Sequence, residues 1–364
     1  MSNRQIKVTF KTLTPLWTGD AWGDSREIRP SSIMGSLRFW FEVFCYFAGV
    51  TNNDDYEKGK LKDDLNKDEF KKKLLNNGAS FEGLDKTLAE CGISLPSRVF
   101  GCTGWKGWVR IKDIKPIEDY CFGNRLNLPF GLAVKKDFSE VKELKSIREL
   151  NKRDYSGWFF AKPYFYGKFE TTFEVEKEIL DPIFYPLLTF VEKYGFLGGK
   201  WNIGYGRVKI DIIELMKERN WQKKNDWRTK KFGLNSFYKN GKNRFPTVSF
   251  CKINSNDINK EIVFVKECNN WDELENKKKN LICYCVEEIF CKTYKDIIFK
   301  LIKIKASHRR DISNNSERHE IFGEGGKNAK GTKIIPWIYE ENDQIKGGFV
   351  SIAGIISLGG NYEV

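Results

Sequence analysis

The segment RPSSIMGSLRFWFEVF, residues 29–44, constrains this chain more than any other stretch. Its proline presets a helical backbone angle, and the serines that follow are placed to satisfy the free amides of a first turn. Ser31, Gly35, Arg38 and Glu42 step by four, three and four, so they share one stripe of a helix; nearly everything else from Ile33 to Phe44 is apolar. Such a helix is buried except along that stripe. Two readings of the stripe stay open. In one, Gly35 lets a ligand backbone approach, Arg38 offers a forked phosphate donor and the helix start supplies amides to an anion. In the other, Arg38 and Glu42 form an ion pair one turn apart on a surface stripe and Gly35 serves packing.

The flanking elements mix strands and helices. Residues 5–13 alternate polar and apolar as a half-buried strand does, and strand-like segments recur around 97–112, 157–175 and 205–214. A helix is expected at 183–194. Residues 52–77 are charge-dense and predict a solvated helical insertion, and residues 216–244, rich in Lys, Arg, Asn and Trp, read as a basic connector. Further strands are expected near 248–253, 261–266, 296–305 and 347–358, with an apolar helix around 279–291. Without regular alternation of the two element types, the fold class is α+β.

The balance of 62 Lys and Arg against 49 Asp and Glu leaves a net charge of +13, which favours a polyanionic partner through phosphate neutralisation and counterion release. No segment has the apolar length of a signal peptide or a membrane span, so a soluble cytoplasmic protein with no membrane partner is expected. Nine scattered cysteines and two histidines, His308 and His319, do not form zinc-ligand spacings; reduced thiols, no metal and no cofactor are expected.

Three other constellations carry chemistry. In FLGGKWNIGYGRVKI, residues 196–210, Gly198, Gly199, Gly204 and Gly206 bracket Lys200, Trp201, Tyr205 and Arg207. Turns of this kind direct amides at phosphates, and Trp and Tyr offer faces to unpaired bases; a tight hairpin with incidental basic residues is the plainer account. Lys200 is followed by Trp, not Ser or Thr, so this is not a nucleotide-binding phosphate loop. Between 100 and 110, Trp105, Lys106, Trp108 and Arg110 interleave ring and cation. His308, Arg309, Arg310, Arg318, His319, Lys327 and Lys330 form a basic cluster in which imidazole could also serve acid–base cleavage of RNA. One internal echo joins SRVFGCTGWKGWVR (97–110) to ERHEIFGEGGKNAKGTK (317–333): each runs from an Arg through a Phe-Gly step into a Gly- and Lys-rich stretch, as a duplicated unit would.

The segments TPLWTGDAWGDSREIRPSSIMGSLRFWFEVF (14–44), SRVFGCTGWKGWVRI (97–111) and FLGGKWNIGYGRVKI occur in one order. In that order the chain resembles the RAMP superfamily of CRISPR-associated proteins, and within it the first-numbered subunit of the type III-B (Cmr) RNA-guided effector. The resemblance implies two ferredoxin-like (RRM-like) units packed together with helical insertions: residues 1–215 with an insertion near 52–90, a connector at 216–244, and residues 245–364. It also implies a non-catalytic place at the head end of the complex, near the 3′ part of the guide RNA (crRNA) and the incoming target RNA, among other Cmr subunits. Ser31, Ser32, Gly35 and Arg38 then fall on the helix facing RNA, and Gly198, Gly199, Gly204, Gly206 and Arg207 on the glycine-rich loop. Where that loop often has an Arg-rich middle, this chain has Lys200-Trp201-Asn202. Related backbone subunits cut RNA with an aspartate in the loop before the helix, where this chain has Asp20 and Asp24; an endoribonuclease using those residues or the histidines is the alternative.

Overall fold

Strand β1 (Asn3–Thr12) sends Ile6, Val8 and Phe10 into the interior and Lys7, Thr9 and Lys11 outward, the period-two pattern of a sheet covered on one face. It is the centre of a five-stranded antiparallel sheet. Its companions are β2 (Val109–Pro116), β6 (Lys168–Glu176), β7 (Val208–Lys217) and β8 (Asn220–Lys223), in the order β8-β7-β1-β6-β2. The computed structural model describes residues 3–19, 23–47, 50–51, 53–57, 60–118, 121–137, 139–238, 289–311, 313–322, 334–342 and 344–351.

Helix α1 (Pro30–Phe47) covers the inner face. Ile33, Leu37, Trp40, Phe41, Phe44 and Cys45 are all buried at helical spacing, and the Arg29 carbonyl accepts from the Ser32 and Ile33 amides to close the first turn. Helix α5 (Tyr185–Lys193) lies beside it, with the Trp40 and Phe44 rings edge-on to Phe190. The path β1–α1–β2–β6–α5–β7 is thus a βαββαβ unit whose fourth strand lies beside its first, the first beside its third, and the third beside its second.

Two insertions interrupt it. The first holds α2 (Lys67–Asn77), α3 (Phe81–Glu90) and α4 (Leu95–Phe100). Helix α2 has no buried residue and is capped by Asn66, whose side chain accepts from the Asp68 and Glu69 amides, so only residues 67–77 of the charge-dense stretch are the expected solvated helix; Tyr56–Glu57 pairs with Lys60–Leu61 as a short hairpin instead, and Leu65 is buried. Residues 97–100, expected in a strand, end α4 instead. Pro96 favours a helix start there, Leu95, Val99 and Phe100 bury on the core, and Gly101 closes the turn at a φ of 93°. The second insertion is a small sheet of β3 (Gly131–Lys135), β4 (Val141–Leu144) and β5 (Tyr155–Phe159), in the order β4-β3-β5.

The C-terminal part pairs β9 (Ile289–Cys291), β10 (Ile334–Glu341) and β11 (Gln344–Ser351) in the order β9-β11-β10 under α6 (Tyr294–Asp311); α7 (Asn315–Phe322) follows α6. First strand, helix, second and third strands with a first-third-second sheet order repeat the opening of the N-terminal unit. The two Phe-Gly echoes occupy matching places: Phe100 ends α4 before β2, and Phe322 ends α7 before β10. Residues 296–305, expected as a strand, lie within α6. Ile297, Ile298, Leu301, Ile302 and Ala306 bury at helical rather than alternating spacing, with Ile297 and Leu301 against Gly347 of β11 and Ile298 beside Gly204. Of the helix expected at 279–291, residues 289–291 are a strand and the rest lies outside the described residues, as do the strands expected near 248–253 and 261–266. Residues 216–223, expected in the connector, continue β7 and turn back as β8.

Candidate nucleic-acid interface

The loop leaving β1 is folded onto the start of α1 by one hydroxyl. Thr18 Oγ1 donates to the Glu27 carbonyl at 2.8 Å and accepts from the Arg29 amide at 3.2 Å, while the Thr18 amide donates to Ser25 Oγ at 3.0 Å. The glycine-rich loop docks against both. The Gly198 amide donates to Ser36 Oγ on α1 at 2.9 Å, and the Gly199 amide to the Trp17 carbonyl at 2.8 Å. Trp40 Nε1 reaches the Phe196 carbonyl at 3.2 Å, and Trp201 stacks on Phe196 with centroids 4.8 Å apart. Lys200, left-handed at φ 62°, carries its ammonium 5.3 Å from the Trp17 ring centroid.

The structure therefore brings together Ser31, Ser32, Gly35, Gly198, Gly199, Lys200 and Trp201. Ser31, Gly35 and Lys200 are exposed, and Ser32 and Trp201 are half-buried. Among the described residues, a Cβ at Gly35 would meet nothing within 4 Å, so their packing gives no reason for a glycine there.

The glycines of the loop act differently from the expectation. Gly198 and Gly206 take φ of 73° and 86°, where a Cβ would collide with the Trp17 and Leu197 carbonyls respectively. The amides of Gly198, Gly199, Gly204 and Gly206 are spent on Ser36 Oγ and on the carbonyls of Trp17, Trp201 and Pro15. They shape the turn instead of presenting a row of donors to phosphate.

Other expected residues point elsewhere. Arg207 is buried, its guanidinium held by the carbonyls of Val191, Glu192, Lys193 and Gly195 at the end of α5 and by that of Ile338. Tyr205 is buried beside Phe160 and Tyr164 with its hydroxyl on the Ala161 carbonyl at 3.2 Å, and burial pushes its phenol far up. Arg38 realises the ion-pair reading. It meets Glu42 at 2.6 Å and also donates to the Gly101 carbonyl and Ser97 Oγ, stapling α1 to the end of α4; burial raises the Glu42 carboxyl and Arg38 opposes that rise. Arg110 pairs with Glu174 at 3.4 Å, on the sheet face away from the buried Phe173 and Val175. Trp105 is half-buried on Phe70 and Trp108, with Nε1 on the Arg98 carbonyl, and Lys106 is exposed beside it. Arg309 and Arg310 lie on α6 with His308, His319 on α7; Asp24 pairs with Arg26 at 3.2 Å, and Asp20, Lys327 and Lys330 lie outside the described residues.

One residue that sequence reasoning missed links the basic cluster to the loop. Lys305 interrupts the apolar stripe of α6, is only 4% exposed, and directs Nζ to the Asn202 carbonyl at 3.4 Å, 6.0 Å from the Trp158 ring. Burial, with Arg309 nearby, brings its amine down to about 7; burial and Arg318 likewise lower Arg309. The signal was present as a lysine at a core position of an amphipathic helix. Among the described residues no group of three or more His, Cys, Asp or Glu is placed to hold a metal, and no helix is long and apolar enough to cross a membrane.

Comparison with known proteins gives one family and several distant folds. No curated protein matches the sequence. Among solved structures, Cmr1 from Pyrococcus furiosus in its apo form is 16% identical, with 95% of this chain and 87% of that one covered and a TM-score of 0.40. A chain of the type III-B Cmr-beta complex bound to cognate target RNA is 14% identical over 59% of this chain and 61% of that one, with a TM-score of 0.31. A chain of a type IV-B CRISPR complex is 16% identical over 59% and 92%, with a TM-score of 0.31. The RAMP superfamily model matches residues 9–209, which include the end of β1, all of α1, the 198–207 loop and the start of β7. A match over more than half of the chain, through the elements that build the candidate interface, makes this protein a member of the RAMP superfamily.

Proposed function

We propose that this chain is a non-catalytic RNA-binding subunit of a type III-B CRISPR effector, with α1 and the 198–201 loop facing guide and target RNA. One observation carries the reading: Gly35 sits exposed in mid-helix, and among the described residues nothing beyond its own helix lies within 4 Å of where a Cβ would be. A glycine there costs a helix about 1 kcal/mol relative to alanine, so an external surface that approaches closely is the reason for it. Ser31, Ser32 and Lys200 flank it with hydroxyls and a cation, and Trp201 adds a partly open ring. The chain as a whole carries +13. The place at the head end, near the 3′ part of the guide, follows from the resemblance of the 14–44 segment, as does assembly with other Cmr subunits.

The βαββαβ path of the N-terminal part and the repeated strand-helix-strand-strand order of the C-terminal part support two ferredoxin-like units, joined by a connector whose first strand pairs with the N-terminal sheet.

A salt titration of single-stranded RNA binding tests the function. Each phosphate contact contributes about −0.7 to the log–log slope, so several contacts give a steep dependence that Lys200→Glu makes shallower. A flat response removes the reading. Labelled RNA left intact with and without magnesium is the expected result for a non-catalytic subunit; specific cleavage lost on changing Asp24 or His319 would favour the endoribonuclease instead.

A further inference from the structure

Beside the end of α5 the two units enclose a groove of about 250 Å³. Trp337 and Tyr339, two residues apart on β10 and so on one face, stack with centroids 4.2 Å apart and planes at 21°. The Tyr194 ring continues the series 6.0 Å from Trp337 at 33°. Trp337 is fixed in place by its Nε1, which donates to the Lys193 carbonyl at 2.7 Å. The Trp337 and Tyr339 rings are both half-buried, and Lys346 Nζ lies 5.8 Å from the Tyr339 centroid.

The charge around this ladder selects its occupant. Two carboxylates line the groove, and both are engaged by the protein. Glu192 takes Arg228 at 2.8 and 2.9 Å, and Glu340 takes the Tyr294 hydroxyl at 2.9 Å and Lys11 at 3.7 Å. Lys193 and Lys209 stand exposed at the rim. Flat aromatic walls under a basic rim fit a planar ring that carries a neighbouring negative charge. The volume lies below the ~300–1,000 Å³ of pockets for whole drug-sized ligands and suits a single ring system.

We propose that this groove takes one unpaired nucleobase of a single strand, laid against the Tyr194–Trp337–Tyr339 ladder with its phosphate toward Lys193 and Lys209. The proposal rests on the RNA-binding reading and extends it, because Tyr194 lies four residues before Gly198 on the segment that joins α5 to the candidate loop. Stacking of this kind tolerates any base, since every base has a π-face.

The test uses the full chain and a uridine dodecamer bearing 5-iodouridine, photo-crosslinked and mapped by mass spectrometry, beside filter binding of the same RNA. Crosslinks at Tyr194, Trp337 or Tyr339 are expected. Tyr339→Leu is expected to weaken binding roughly ten-fold with the salt slope unchanged, because a ring releases no counterions. Tyr339→Phe keeps the affinity, and Lys209→Glu makes the slope shallower. Wild-type RNA binding with crosslinks confined to other residues, and with Tyr339→Leu at wild-type affinity, overturns the groove and leaves the RNA-binding reading standing. Absence of any RNA binding by the wild-type chain overturns both.

Discussion

Arg207 Nε donates to the main-chain carbonyl of Ile338 at 2.8 Å, while the rest of its guanidinium closes the carbonyls at the end of α5. One side chain therefore caps α5 and holds β10, which lies far along the chain. A cation suits the negative end of the helix dipole. Burial brings the guanidinium down to about 10, still above neutral pH, so it remains charged where it sits.

Replacing it removes several charge-assisted hydrogen bonds and strands their carbonyls. Arg207→Leu is expected to lose roughly 3 kcal/mol or more of unfolding free energy, read from urea denaturation. Arg207→Lys, with a point charge where a fork is needed, should recover only a small part; full recovery would sink the idea that the fork geometry matters.

Gly35 separates stability from binding. Gly35→Ala places a methyl in open space and is expected to stabilise the protein by about 0.5–1 kcal/mol, seen as a raised thermal midpoint. Gly35→Glu leaves the fold intact and weakens RNA binding by projecting a negative side chain from the proposed contact face. Equal RNA affinity for Gly35→Glu and wild type would take this position out of the interface.

Arg38 and Glu42 are expected to couple. A double-mutant cycle of Arg38→Ala and Glu42→Gln should give an interaction of about 1 kcal/mol in chemical denaturation, because the pair is only part-exposed and anchored by the Gly101 carbonyl. A coupling near zero would show that Arg38 acts on α4 without Glu42.

Lys305 makes stability depend on pH in a definite direction. Its amine is lowered to about 7 in the fold from an ordinary value of 10.5, so between those values the unfolded chain binds the extra proton. Stability therefore rises with pH across that window, by up to about 1.4 kcal/mol per pH unit. The facing groups are Arg309 on its own helix, the Asn202 carbonyl and the Trp158 ring. Lys305→Met should exceed wild type in stability at pH 7, with the difference shrinking toward pH 10; a difference that does not change with pH would contradict the assignment.

How much was legible can be followed residue by residue. Helix α1 was readable from end to end because its buried positions recur at helical spacing and proline marks its start. Residues 296–305 misled because isoleucine suits strands by composition, whereas their buried positions follow the helical period. Arg207 misled for another reason. Its neighbours in the chain are glycines and a tyrosine, as in a loop that binds phosphate, but the carbonyls that use its donors come from α5 and β10, 12–16 and 131 residues away. The ladder of Tyr194, Trp337 and Tyr339 draws its rings from the end of α5 and from β10, far apart in the chain, and has no local signature.

The sequence by itself determined the mixed fold class, the polar stripe of α1, the location of the glycine-rich turn and the family. These are properties of local spacing and of order along the chain, and short-range sterics and periodic burial are enough to specify them. Only the tertiary structure decided which cations face outward. A guanidinium is claimed by whichever acceptors the fold brings to it, so Arg207 and Arg38 became internal fasteners, Lys200 stayed at the surface and Lys305 was drawn into the core. For the same reason the polar stripe first read on one helix became a surface that α1 shares with the loop of residues 198–201.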